Sequence, residues 1–162
     1  MESISSINVF LGFSQEPSFF LFSPSILPHT MAAGTGSGKI SFLITGGAGF
    51  IGSAIAIKLS ENKNYRIVIL DDLSTGSMKN IQGMEDRPNV KFIKGDIRDQ
   101  QTCLDCCDGI DIVLHHAALG SIPRSIDDPV NTNSVNVTGF LNMLDAARQC
   151  KVKRFVYASS SS

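Results

Sequence analysis

The chain has 162 residues, a formal net charge of -1, 18% charged residues and 43% hydrophobic ones. That length suits one domain with a sizeable core and is too short for a large two-domain enzyme, while the near-neutral charge argues against an electrostatic nucleic-acid binder. No stretch reaches the roughly 18 consecutive apolar residues of a membrane span.

Residues 1 to 38 are rich in serine, phenylalanine, proline and glycine and show no sustained period of 2 or 3.6, so a disordered leader is expected there. The apolar patch from Phe19 to Phe22 is broken by Ser23, Pro24 and Pro28, and Met31 is an alternative start. No lysine or arginine precedes Lys39, so neither the basic start of a secretory signal nor an arginine-rich transit peptide is present, and a cytoplasmic protein is the expectation. The run Gly34 to Lys39, GTGSGK, imitates a phosphate loop. It fails as one because Ile40 stands where a hydroxyl should hold magnesium and no strand comes before it.

A first strand is expected from Ile40 to Thr45, followed by Gly46, Gly49 and Gly52 at the spacing Gly-x-x-Gly-x-x-Gly. This is close to the Gly-x-Gly-x-x-Gly dinucleotide fingerprint without matching it. The first glycine permits a tight turn, the second clears the path of a pyrophosphate, and the third lets a helix sit close to the strand. That helix should run from Phe50 or Ile51 to Leu59 or Ser60, its amino-terminal amides facing phosphates, with Ile51, Ala54, Ile55 and Leu59 toward the sheet.

Arg66 to Leu70 form a second strand whose apolar run fits a parallel sheet buried on both faces. Asp71 follows Gly52 by 19 residues, where a carboxylate accepts hydrogen bonds from adenosine ribose hydroxyls. An acid there favours NAD over a 2'-phosphorylated cofactor, with Asp72 read as the cap of the next turn and Lys79 keeping the question open. A third strand covers Val90 to Lys94. Beyond it Asp96 and Ile97 are placed to hold the adenine amino group and ring face, and Asp99 to cap a helix from Gln100 to Cys107.

A fourth strand, Asp111 to His115, ends in the small residues Ala117 and Ala118, which let a cofactor lie across the sheet. His115 and His116 resemble a catalytic pair but lack a nearby acid or thiol in sequence, so a positional role is preferred. A loop containing Ser121, Pro123, Arg124 and Ser125 comes next. A long helix is then expected from Val130 to Gln149, with Val135, Phe140, Leu141, Leu144 and Ala147 along one stripe, and a fifth strand from Phe155 to Ala158 before Ser159 to Ser162. Five strands alternating with helices predict an α/β fold, a doubly wound parallel sheet of order 3-2-1-4-5 that is truncated after the fifth strand. Cys103, Cys106, Cys107 and Cys150 form no metal set and read as reduced structural thiols, with no metal expected.

The motifs GGAGFIGS at Gly46 to Ser53, LDDLSTG at Leu70 to Gly76, GDIRD at Gly95 to Asp99 and YASSSS at Tyr157 to Ser162 resemble the NAD-dependent epimerase/dehydratase family. This is the extended branch of the short-chain dehydrogenases, built on a Rossmann domain. The resemblance covers nearly all of residues 39 to 162, the amino-terminal part of such a domain. HHAALGSIPRSIDDP, from His115 to Pro129, and NVTGFLNMLDAA, from Asn136 to Ala147, look most like UDP-N-acetylglucosamine 4-epimerases, with UDP-glucose 4-epimerases close by. Gly120 stands where some UDP-glucose 4-epimerases have lysine, which leans toward the N-acetylated class.

The resemblance implies that Gly46, Gly49, Phe50, Ile51 and Gly52 form the pyrophosphate loop, Asp71 the ribose ligand, and Asp96 with Ile97 the adenine contacts. Ala117, Ala118 and Leu119 would line the nicotinamide side and Asn136 would support the cofactor region. Ser121 and Arg124 would face the sugar nucleotide, with Ser160 the catalytic serine and Ser159 and Ser161 its neighbours in the substrate site. The implied chemistry is transient oxidation at C4 of a UDP-sugar, with NAD regenerated in each cycle, in a homodimer. The family's Tyr-x-x-x-Lys pair is expected after the serine run and no residues remain to supply it. A truncated gene product, fragment or isoform without turnover is therefore expected. A 4,6-dehydratase, a UDP-glucuronate decarboxylase and a noncatalytic NAD-binding fragment are the alternatives.

Overall fold

Short β-branched runs separated by amphipathic segments assemble here into one parallel sheet with helices on both faces. A computed structural model of the chain describes residues 38–84 and 86–159. The expected disordered leader, most of the GTGSGK run, and Ser160 and Ser161 lie outside the described residues.

The strands are β1 (Ile40–Thr45), β2 (Tyr65–Asp71), β3 (Val90–Lys94), β4 (Ile112–His115) and β5 (Arg154–Tyr157). Their order is β3-β2-β1-β4-β5, every pairing parallel, as the alternation predicted. In register, Ile44 of β1 lies between Ile69 of β2 and Leu114 of β4, and Leu43 between Val68 and Val113. Because side chains alternate along a strand, these two rows feed opposite faces. One cluster gathers Ile44, Ile69 and Leu114 under Ala56 of the first helix, α1 (Phe50–Ser60). The other gathers Leu43, Val68 and Val113 under Cys103 and Cys107 of α2 (Gln100–Cys107) and Met143 of the helix before β5. Both faces of the central strands are thus dry, which explains the continuous apolar runs of β1 and β2. No helix among the described residues is long and apolar enough to cross a membrane.

The expected apolar stripe of α1 holds at Ile55 and Leu59, which pack against the core, and is corrected at Ile51 and Ala54, which are exposed. Gly52, Ser53, Ala56 and Ser60 are the buried residues, Ile55 and Leu59 flank them half-buried, and Ile51 is 58% exposed. The helix lies too close to the β1 turn for large side chains, so small residues occupy the contact and the isoleucine is pushed to the rim. The hydroxyls of Ser53 and Ser60 turn back on the carbonyls of Phe50 and Ile57, which lets these polar residues be buried.

Two further expectations fail after β4. The loop at Ser121 is a helical turn, α3 (Ile122–Asp127), begun by Ser121, whose Oγ accepts from the Arg124 amide at 3.4 Å. Proline at the second helical position, read as a loop signal, is compatible with a helix start. The long helix from Val130 is broken into α4 (Pro129–Asn133), a π-helical segment (Ser134–Gly139) and α5 (Phe140–Gln149). A π turn holds an extra residue and shifts the phase of the helix beyond it. Extrapolating the stripe from Val135 therefore selects Leu141, which is 60% exposed, in place of Met143 and Ala146, which are fully buried. The strand ends move by one residue, with Tyr65, Asp71 and Arg154 inside strands and Asp111 and Ala158 outside.

Candidate functional site

A cleft of about 520 Å3 opens at the carboxyl ends of β1, β2, β4 and β5, where the winding of the sheet reverses between β1 and β4. Its floor is the turn after β1. Gly46 has φ +65° and its amide donates to the Leu70 carbonyl at 2.8 Å, while a Cβ there would stand 2.7 Å from the Ala117 nitrogen. Gly52 packs against the same turn, where a Cβ would run into the Gly46 carbonyl oxygen and stand 2.8 Å from the Gly47 Cα. Gly49 is the N-cap of α1 and lies next to Phe50 and Ile51, 92% and 58% exposed at the lip of the cleft. The amide groups of the first helical turn are therefore uncovered by side chains from the floor.

Asp71 ends β2 as a buried acid. Its Oδ2 accepts from the Ala48 amide at 2.9 Å and its Oδ1 from the Leu73 amide at 2.8 Å, so one carboxylate ties the glycine turn to the turn after β2. Gly76 is part of this contact, since a Cβ there would come within 2.9 Å of Asp71 Oδ1. Asp72 accepts from the amide and hydroxyl of Ser74 at 2.9 and 2.6 Å, the turn-capping geometry expected for it.

At the end of β3, Asp96 is gripped by the Arg98 guanidinium, Nε approaching Oδ2 at 2.8 Å. This hydrogen bond holds the Asp96 carboxyl below its ordinary range. Arg98 also donates from Nη1 to Asn131 Oδ1 at 2.9 Å, fastening α4 to the β3 end. The sequence offered no signal for this fork, because its partner on α4 is 33 residues away. Ile97 is buried, and the Ile97 and Arg98 carbonyls both accept from Asn142 Nδ2. Asp99 caps α2 by accepting from the Gln101 amide at 3.1 Å and the Thr102 hydroxyl at 2.6 Å.

The far wall is the segment after β4, with His116, Ala117, Ala118, Leu119 and Gly120 along the cleft. Thr45 and His115 organise it. The Thr45 hydroxyl accepts from the His116 and Ala117 amides, both at 3.3 Å, which leaves its single proton for His115 Nδ1 at 2.9 Å. The imidazole is then neutral with the proton on Nε2. Burial pushes its pKa down to about 4, consistent with a ring lying against Phe140 and Phe155. Burial lowers the His116 pKa as well, and its Nδ1 is buried without a partner among the described residues. Asn136, in the π segment, brackets Leu119, accepting from its amide at 2.8 Å and donating to its carbonyl at 3.0 Å.

The remaining residues singled out from sequence are not all brought together. Arg124 lines the cleft together with Ala158, whereas Ser121 is exposed at the start of α3 and does not line it. Ser159 is exposed just beyond β5. A side cavity of about 210 Å3, continuous with the cleft at Asp72, Ser74 and Arg124, also touches Arg98 and Asn131. The cysteines belong to packing: burial pushes Cys103 and Cys107 up to about 12, so both are unreactive thiols within the core.

Comparisons with known proteins agree on the family of this fold. The sequence model described as "NAD dependent epimerase/dehydratase family" matches residues 42–162. The chain is 41% identical over 121 residues to a putative UDP-glucose 4-epimerase of Methanocaldococcus jannaschii, covering 73% of this chain and 37% of that protein. Among solved structures it is similar to the UDP-N-acetylglucosamine 4-epimerase from Methanobrevibacter ruminantium M1 in complex with UDP-N-acetylmuramic acid. There the TM-score is 0.70 at 32% identity, over 77% of this chain and 39% of that one. It is also similar to a dTDP-glucose 4,6-dehydratase from Streptomyces venezuelae with NAD and TYD bound, with TM-score 0.67 and 31% identity over 72% and 38% of the two chains. The chain therefore spans between 37% and 39% of the length of these three relatives.

Proposed function

The chain belongs to the NAD dependent epimerase/dehydratase family, and on that premise we propose that its cleft holds NAD across the carboxyl ends of the strands. One observation carries this reading: a glycine floor that no Cβ fits, at Gly46 and Gly52, stands beside the buried carboxylate of Asp71. An extended ligand with phosphate in its middle and a ribose at one side suits both features. The cleft's size falls in the range of ordinary cofactor sites.

In this reading Gly46, Gly49, Phe50, Ile51 and Gly52 present backbone amides to the pyrophosphate. Asp71 keeps free lone pairs beyond those used by Ala48 and Leu73 and accepts from the adenosine ribose hydroxyls. Asp96 orients the adenine amino group while Arg98 keeps it ionised, and Ile97 lies under the ring. Ala117, Ala118 and Leu119 give the nicotinamide side a surface of small groups, held in place by Asn136. Bound NAD supplies a reversible hydride acceptor. The protein's own part in that region is to keep the wall neutral, since His115 stays uncharged above its lowered pKa.

Residues 39–162 are assigned as the amino-terminal part of the NAD-binding domain of a nucleotide-sugar epimerase or dehydratase. Within that range we favour a 4-epimerase of UDP-N-acetylglucosamine or UDP-glucose. Support comes from the similarity to the M. ruminantium enzyme and from the match of HHAALGSIPRSIDDP to that class. Ser160 is the proposed catalytic serine, with Ser121, Arg124, Ser159 and Ser161 on the sugar-nucleotide side. Cofactor binding is the share of that activity assigned to residues 39–162. A homodimer in the cytoplasm completes the proposal, the four cysteines being unpaired thiols.

Isothermal titration of NAD into the purified chain tests the central reading. A saturable heat with protection from proteolysis is expected, and the absence of both overturns it.

A further inference from the structure

The charges lining the cleft do not balance for a diphosphate. Asp71, Asp72 and Asp96 contribute three carboxylates, and the first turn of α1, from Phe50 to Ser53, contains no basic residue. Arg98 is engaged by Asp96 and Asn131. Asp72 is engaged by the amide and hydroxyl of Ser74. Arg124 is the one arginine on the cleft wall, and its guanidinium has no hydrogen-bond or ion-pair partner among the described residues. Its helix, α3, buries none of its residues, so the side chain serves no packing role there. The side cavity shows which end of the cleft Arg124 belongs to. Arg124 shares it with Asp72, Ser74 and Thr75 after β2 and with Arg98 after β3, Leu119 being its one lining residue from the nicotinamide side, and no residue from β5 or beyond takes part.

We propose that Arg124 binds the dinucleotide's phosphate on the adenosine side, supplying the counter-charge that the glycine floor lacks, and is therefore a cofactor residue and not a sugar-nucleotide residue. This rests on the reading of the cleft as an NAD site. Arg98 neutralises Asp96, but Asp71 and Asp72 have no ion-pair partner among the described residues and repel a phosphate brought near them, and helix amides supply only partial positive charge. A guanidinium whose N–H donors are unengaged forms paired, charge-assisted hydrogen bonds to phosphate oxygens, which lysine reproduces only as a point charge.

Titrations of the full chain with NAD, ADP, adenosine, NADP and UDP, using the unsubstituted protein, R124Q and R124K, test the assignment. In R124Q, affinity for NAD and ADP should fall about 10- to 100-fold, as expected for losing a charge-assisted pair. Adenosine, followed by ligand-observed NMR because its binding is weak, should bind R124Q and the unsubstituted chain equally, which also shows that the variant is folded. The salt dependence of NAD binding should flatten in R124Q, and R124K should recover part of the affinity. Unchanged NAD and ADP binding in R124Q overturns the proposal. So does a loss confined to UDP, which would return Arg124 to the sugar nucleotide, or a loss confined to NADP, which would place it on a 2'-phosphate. If the unsubstituted chain binds neither NAD nor ADP, the NAD reading falls and takes this proposal with it, a result distinct from binding that R124Q leaves intact.

Discussion

Asp71 Oδ2 accepts from the amide of Ala48 at 2.9 Å, joining the end of β2 to the glycine turn across 23 residues of sequence. The same carboxylate holds Leu73 through Oδ1, so the shape of the cleft floor depends on one buried acid. Replacing Asp71 by alanine strands two amide donors, each costing about 1–3 kcal/mol when left unpaired. Urea denaturation should show D71A destabilised by about 2 kcal/mol or more, and D71N, which keeps one acceptor oxygen, by roughly half that. NAD binding should weaken in both.

Gly52 tests the closeness of α1 to the β1 turn. An alanine there must displace backbone atoms, the Gly46 carbonyl and Gly47 Cα, which cannot move aside as a side chain can. G52A is expected to lose about 1–3 kcal/mol, the usual range for overpacking. The control is I51A, since Ile51 is 58% exposed and its truncation should leave the urea midpoint nearly unchanged.

His115 sets a pH dependence with a definite sign. Its pKa falls from 6.5 to about 4 on burial, so between these values the unfolded chain binds the proton that the folded one refuses. Stability should be complete above pH 6.5 and decline as pH falls toward 4, by up to about 3 kcal/mol from this residue. The His116 pKa is lowered in the same direction, so H115Q should flatten the decline without abolishing it. Urea titrations at pH 7 and pH 5 check this, and an unchanged slope in H115Q would remove His115 as the source.

Asn136 and Leu119 offer a test that separates binding from folding. N136A removes both hydrogen bonds to the Leu119 backbone, worth about 0.5–1.5 kcal/mol each. The expected result is a modest loss of stability with weaker binding of NAD, while binding of ADP, which lacks the nicotinamide half, stays unchanged. Equal losses for the two ligands would show that Leu119 does not border the nicotinamide side.

Much of the sheet was legible because its signals are local. Apolar runs marked β1 through β5, glycine spacing marked the turn, and acids came after β2 and β3 at the expected offsets. Asp72 and Asp99 were readable as caps because their partners are two or three residues away. The buried face of α1, the π segment and the Arg98 fork were not readable in this way.

The sequence by itself determined the strand order, the glycine floor and the family motifs, all properties of neighbouring residues and of right-handed parallel connection. Only the tertiary structure decided that α1 turns Gly52, Ser53 and Ala56 to the sheet, since the closeness of two backbones overrides the gain from burying Ile51. It also decided that Thr45 and His115, separated by 70 residues, form one neutral pair, and that Arg98 is partnered while Arg124 has no partner among the described residues. Hydrogen bonding and charge pairing depend on distances in space, which a one-dimensional period does not contain.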